Sequence, residues 1–268
     1  MVKNIDPQKY AAVIRKIKTK RRIVLAILII VAVVILIFGS PLYINIGEVF
    51  IDRQGLPVGV VILLALLAAI FSIIAISFIM YPVVSAMDVE CDPEKHLVLN
   101  AALNRQKIMD NIYAVDYFYL GDFPASLACA ERMTASTNPE MAKAGLFNLA
   151  RCHFFMGNSE ALGFAADSYE KLLVNGKSTK PEFLKLWSAI SLMMALNKKD
   201  MTAIENLKKI EPWNKSKATE GFVNYLLGVA AFELGETQEA IYRFGAVKEF
   251  CSKTVLGELS QEYLEKLK

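Results

Sequence analysis

The chain has 268 residues, of which 54% are apolar, and a formal net charge of +3. Its length holds one sizeable domain and an appendage, and its mean hydropathy of +0.36 is high for a protein that lives wholly in water. From Asp88 onward 21 basic residues face 24 acidic ones, a near-balance that excludes the basic stripe of a nucleic-acid surface.

Residues 1–22 form a basic segment, with Lys3, Lys9, Arg15, Lys16, Lys18, Lys20, Arg21 and Arg22 against the single acid Asp6. These charges suit a topology signal, and equally a contact with anionic headgroups. No charged side chain then appears from Ile23 to Gly47, nor again from Gln54 to Met87. A bilayer core takes roughly 20 apolar helical residues, so both runs are long enough to span. Core helices of that length would show a polar face, and a cleaved signal peptide would not be followed so closely by a second apolar run. The sequence therefore predicts membrane helices at 23–40 and 57–84, joined by a short extracytoplasmic loop, 41–56, in which Tyr43 and Phe50 suit the membrane interface. Basic flanks stay on the cytoplasmic side, which places both termini and everything after the second span in the cytoplasm. Neither span holds an ionisable residue of the kind that ion pathways use, so the pair reads as an anchor in the plasma membrane.

Residues 85–107 read as a polar, membrane-proximal connector. From 108 to 268 the apolar spacing is helical, with breaks at Asn138-Pro139, Asn175-Gly176 and Pro212. Two stretches align: Tyr225–Phe244, with Leu227, Gly228, Ala231, Gly235, Ala240, Ile241 and Phe244, and Tyr113–Met133, with Tyr113, Ala114, Tyr117, Gly121, Ser126, Leu127 and Ala130 in the matching positions. A further copy keeps Leu149, Ala150, His153 and Gly157. Another keeps Ala203-Ile204 but has Asn197-Lys198 where the turn glycine is expected. With turns at Gly121, Gly157, Asn197 and Gly235, spaced 36, 40 and 38 residues apart, the self-similarity resembles the tetratricopeptide repeat family. The resemblance implies an all-α protein: two N-terminal transmembrane helices followed by an α-solenoid of about four helical hairpins, with the last 17 residues as a capping helix striped by Leu256, Leu259, Tyr263 and Leu267. Gly228, Ala114 and Ala150 are small where paired helices approach, and Gly121, Gly157 and Gly235 suit left-handed helix ends.

The resemblance also implies a concave groove lined by the first helix of each hairpin, here Asn111, Val115, Phe118, Tyr119, Phe147, Arg151, Phe154, Phe155, Tyr225, Val229 and Phe232. Aromatic rings with an arginine are common anchors for a protein or peptide partner, and Arg151 would orient an acidic or carbonyl group. One member of each adjacent pair, Phe118-Tyr119 and Phe154-Phe155, should reach that groove. No catalytic, cofactor or metal site is expected. Cys91 and His96 lack zinc spacing, His153 reads as a packed core residue, and no nucleophile motif is visible. Cys91, Cys129, Cys152 and Cys251 read as small apolar residues in a reducing compartment; the rival is an extracytoplasmic domain with two disulfides. The expected role is a membrane-anchored scaffold that binds a partner protein and the bilayer but no nucleic acid. An accessory subunit of a transport or secretion assembly, and an enzyme of unknown class, are the alternatives.

Overall fold

The computed structural model describes residues 6–39, 42–46, 49–53, 58–103, 109–174 and 180–268. The chain divides into two compact units, Pro7–Pro82 and a larger one comprising Val83–Lys268.

The smaller unit begins with a 3-10 turn, Pro7–Tyr10, that runs into α1, Ala11–Gly39. Arg15, Lys16, Lys18, Lys20, Arg21 and Arg22 occupy the first turns of α1 and the apolar run its remainder, while Lys9 stands in the preceding turn and Lys3 lies outside the described residues. Where a loop was expected, β1, Leu42–Ile46, pairs antiparallel with β2, Val49–Arg53, with Leu42 opposite Arg53 and Ile46 opposite Val49. Each strand is rich in the β-branched and aromatic residues that suit a pleated ribbon. Residues 41, 47–48 and 54–56 of the expected loop lie outside the described residues.

The unit continues into α2, Val58–Asp88, with Pro82 inside it. Among the described residues one helix, Val60–Asp88, is long and apolar enough to cross a membrane; its mean hydropathy is 3.0 and none of that window is buried. Ile73 and Phe78 are 66% and 73% exposed, which no water-soluble core helix tolerates along its whole length. The expectation of two such helices is met only here. The first, 23–40, falls in α1, where Ile23, Leu25, Ile29 and Ile30 are also exposed. Its uncharged stretch ends with the helix at Gly39, a rise of about 25 Å against a hydrocarbon core of about 30 Å; residue 40 lies outside the described residues.

The larger unit takes in the last turn and a half of α2 and then, among the described residues, ten further helices. These are α3 (Pro93–Ala102), α4 (Met109–Leu120), α5 (Phe123–Thr134), α6 (Pro139–Phe155), α7 (Ser159–Val174), α8 (Pro181–Lys198), α9 (Met201–Leu207), α10 (Lys217–Glu233), α11 (Thr237–Phe250) and α12 (Val255–Lys266). Of the connector expected at 85–107, residues 85–88 and 93–102 are thus helical, and 104–107 lie outside the described residues. Ser85, Ala86, Met87, Cys91 and Asp92 are buried, and the Asp92 side chain accepts from Lys95 N at 2.9 Å to start α3.

Helices pair in sequence as α4–α5, α6–α7, α8–α9 and α10–α11, and α12 packs on α11, α10 and α4. All four hairpins turn through the same two residues. The first is left-handed, Gly121, Gly157, Lys199 and Gly235, at φ of 79°, 69°, 53° and 76°. The second, Asp122, Asn158, Asp200 or Glu236, donates its backbone N–H five residues back, at 2.8–3.0 Å, so that the last carbonyls of the helix are satisfied. Three of these second residues, Asp122, Asn158 and Asp200, also accept from the backbone three residues ahead and cap the next helix. The third turn therefore falls at Lys199-Asp200, two residues beyond the Asn197-Lys198 expected from the repeat, because Asp200 is the residue able to cap α9. The break expected at Asn175-Gly176 lies outside the described residues. The breaks at Asn138-Pro139 and Pro212 stand at the start of α6 and between α9 and α10.

Glycine sets the closest helix approaches. A Cβ on Gly228 would lie 2.8 Å from the Phe244 ring, and one on Gly145 would lie 2.9 Å from the Ala130 carbonyl. Leu256 of α12 is fully buried, while Leu259, Tyr263 and Leu267 pack half-buried against the core, which realises the expected stripe. Two substitutions test these local arguments in chemical denaturation. Gly228→Leu should drive a side chain into Phe244 and destabilise the larger unit by at least about 1–3 kcal/mol. Lys199→Gly should relieve a left-handed backbone and stabilise by roughly 1 kcal/mol.

Candidate functional site

In the larger unit the inner faces of α4, α6 and α10 meet one another through rings. Phe118 packs edge-on against Phe155 and Phe222, with centroids 5.2 and 5.9 Å away. Phe222 contacts Phe147 at 5.9 Å, and Phe147 contacts Trp213 at 5.1 Å. In the other direction Phe155 leads to Tyr225 at 5.2 Å, Tyr225 to Phe244 at 6.0 Å, and Phe244 stacks on Tyr263 of α12 at 4.6 Å. The Tyr119 hydroxyl donates to the Ala218 carbonyl at 2.7 Å, a direct tie between α4 and α10.

The residues expected to line an open groove therefore separate into two groups. Phe118, Tyr225 and Val229 are buried in the core, Phe154 and Phe155 are half-buried against it, and Phe232 packs on Tyr263 at 5.1 Å. Asn111, Val115, Tyr119, Phe147 and Arg151 instead line a cleft of about 370 Å³. Of the pair Phe118-Tyr119, Tyr119 lines the cleft but is itself buried, and neither Phe154 nor Phe155 lines it. The groove narrows to a cleft because the first helices close on one another, and their rings fill most of the space between them.

The cleft has a polar floor. Arg151 is 3% exposed, and its guanidinium lies 4.0 Å from the Phe118 ring centroid, with Tyr119 and Phe147 at 5.6 and 5.7 Å. Its Nη2 reaches the Ala114 carbonyl only at 3.5 Å, and its Nε has no hydrogen-bond partner. Burial pushes the Arg151 pKa down, since the charged form is the one that suffers from lost water. Asn148 stands three residues earlier on the same helical face. It donates to the Ala144 carbonyl at 2.9 Å, while its Oδ1 is buried without a partner. The cleft thus presents one unused cationic donor and one unused acceptor on the same wall.

Opposite charge is close by but already engaged. Asp116 is fully buried, and both its oxygens lie at 2.7 and 2.9 Å from Nδ1 of His96, which also lines the cleft. Burial pushes the Asp116 carboxyl up to about 6, against the opposing pull of its hydrogen bond and charge attraction to His96. Among the described residues no carboxylate forms an ion pair with Arg151, although the charges of Asp116 and Arg151 attract one another.

Sequence reasoning placed His96 in the membrane exit and passed over Asp116 and Asn148. The signal for Asp116 was present: it is the lone acid within the apolar run Tyr113–Leu120. His153 is half-buried with Nδ1 unpartnered, and burial lowers its pKa. Cys152 is fully buried and donates to Ser126 at 3.2 Å, so the neighbours do not form a nucleophile and base. Among the described residues no group of histidine, cysteine and acidic side chains is arranged to hold a metal ion. Comparison with protein-family models, with curated proteins and with solved structures finds no match for the chain.

Asp116 makes a specific pH prediction. Its folded pKa of about 6 stands above the reference of 3.8, so the folded protein keeps this proton while the unfolded chain gives it up. The stability it contributes is fully present below pH 3.8 and is lost as pH rises through about 6. Relative to Asp116→Asn, the wild type should lose up to about 3 kcal/mol between pH 4 and 6.5, read as the difference between the two denaturation profiles.

Proposed function

We propose that the chain is a membrane-anchored binding module of tetratricopeptide type, in which α1 and α2 hold a helical-hairpin unit at the bilayer and the cleft takes an acidic group of a partner protein. The observation that carries this reading is Arg151. A guanidinium this deeply buried, with an unpartnered Nε and, among the described residues, no carboxylate within ion-pair distance, is costly unless an anion arrives to pair with it. Rings around it supply the apolar wall against which an aliphatic or aromatic neighbour of that acidic group packs.

Several features support the rest of the proposal. Four hairpins with the same two-residue turn, glycine or alanine at the close approaches, and a terminal helix on the last hairpin suit a short solenoid. The exposed apolar surfaces of α1 and α2 suit two spans, with Arg21 and Arg22 reaching to the headgroups to make up the length of the first. The basic residues of 1–22 favour a cytoplasmic N-terminus and so a cytoplasmic hairpin unit. Anchoring confines the search for a partner to the membrane surface and raises the local concentration of both.

Arg151→Met keeps the volume over Phe118 and removes the buried charge. The thermal midpoint should hold or rise, while crosslinked capture of a membrane partner weakens at least about tenfold, the loss expected of a charge-assisted hydrogen bond. Retention of every partner at unchanged affinity would reject the cleft as the binding site. For topology, a cysteine introduced at Asp52 should be labelled by an impermeant reagent from outside intact cells, and one at Lys268 should not.

A further inference from the structure

We propose that Cys91 and Cys251 are a disulfide-forming pair, a covalent cross-link site joining the segment that follows α2 to the junction of α11 and α12. The two sulphurs of these free cysteines face one another 2.8 Å apart across a sequence separation of 160 residues. Both side chains are fully buried. A disulfide needs two side chains that already face one another, because the backbone yields little; this contact meets that condition.

Three independent features are organised around the pair. Cys91 has φ of 46°, a left-handed backbone that a residue with a Cβ adopts at a cost. That bend turns the chain between α2 and α3 and directs the side chain inward. On the other side Gly221 of α10 makes room for sulphur: a Cβ there would fall 2.3 Å from Cys251 Sγ. The next residues repeat the connection by charge, with Lys253 Nζ 2.8 Å from Asp92 Oδ2. The other two cysteines have different neighbours. Cys152 Sγ donates to the Ser126 hydroxyl, and Cys129 Sγ accepts from Arg132 at 3.2 Å. Buried cysteines that serve only as small apolar residues need neither a strained backbone nor a glycine-cut space for their sulphur.

The reaction requires an oxidant, and a small disulfide of the oxidised-glutathione class suffices. One cysteine gives its proton to water, and its thiolate attacks a sulphur of the oxidant, expelling one thiolate. The second cysteine, likewise deprotonated, attacks the mixed disulfide and expels the other. The cysteines lose two electrons and two protons, and the oxidant becomes two thiols. The hydrogen bond from Cys91 to Cys251, together with burial, holds Cys91 protonated, so exchange is slow and proceeds through transient opening of this joint. In a reducing compartment the same pair persists as a dithiol, which makes the cross-link reversible.

The full chain, purified in detergent, is equilibrated with oxidised glutathione, quenched with acid, alkylated in denaturant and mapped by mass spectrometry. The expected result is a linked peptide containing Cys91 and Cys251, with Cys129 and Cys152 alkylated. The thermal midpoint should rise by roughly 10 °C relative to the reduced protein, as closure of so long a loop implies. Cys91→Ala and Cys251→Ala should each abolish both the link and the shift. Alkylation of all four thiols after oxidation, or a link through Cys129 or Cys152, overturns the proposal. Should either variant fail to fold, the wild-type map alone decides.

Discussion

The larger unit depends on a continuous contact of aromatic rings from Trp213 to Tyr263. Phe118 and Phe222, both fully buried, stand where α4, α6 and α10 meet; Phe147, Trp213 and Phe155 touch one of them directly, and Tyr225 then carries the series on to Phe244 and Tyr263. Edge-to-face packing adds roughly 0.5–1.5 kcal/mol per pair beyond the area buried, and here it also fixes direction. Helices that could splay as a ribbon of hairpins are drawn inward, and Tyr119 pins the result by its hydrogen bond to Ala218. What the rings leave unfilled is the cleft.

Arg151 is intelligible only within that setting. Its guanidinium is stabilised by the face of Phe118, an interaction that gains strength when water is excluded. Rings accept a cation without neutralising it, unlike a carboxylate. Asp116, a buried acid whose charge attracts Arg151, is held by His96, and the arginine itself lines the cleft. A single change in that pairing would alter the site: with His96 unable to hold Asp116, the carboxylate would become the natural partner for Arg151.

Much of this architecture was legible before any coordinates, for identifiable reasons. Turn chemistry is local, so Gly121, Gly157 and Gly235 marked their hairpins correctly; Lys199 did not, because its left-handed backbone is imposed by the capping demand of Asp200 rather than by its own preference. The stripe on α12 was readable from spacing alone. The groove was misjudged in extent, since periodicity says which face of a helix is apolar but not whether the facing helix is a neighbour or water. Phe118 and Tyr225 look the same in either case. The β1–β2 hairpin escaped notice because strands of five residues give little alternation to read. The polar reading of 85–107 missed burial for a related reason: Asp92 is buried beside Lys253, which arrives from more than a hundred residues away.

The placement of α12 against α4 carries a consequence for growth. Hairpin arrays normally lengthen by adding units, because each end presents a face fit to receive another. In this protein the C-terminal helix occupies the face of the first hairpin, and Val255 sits close enough to Gly121 that even a methyl group there would press on it, at 3.3 Å. Beginning and end cover one another. The number of hairpins is therefore fixed by geometry: a duplicated unit would have to break the closure before it found a place to stack.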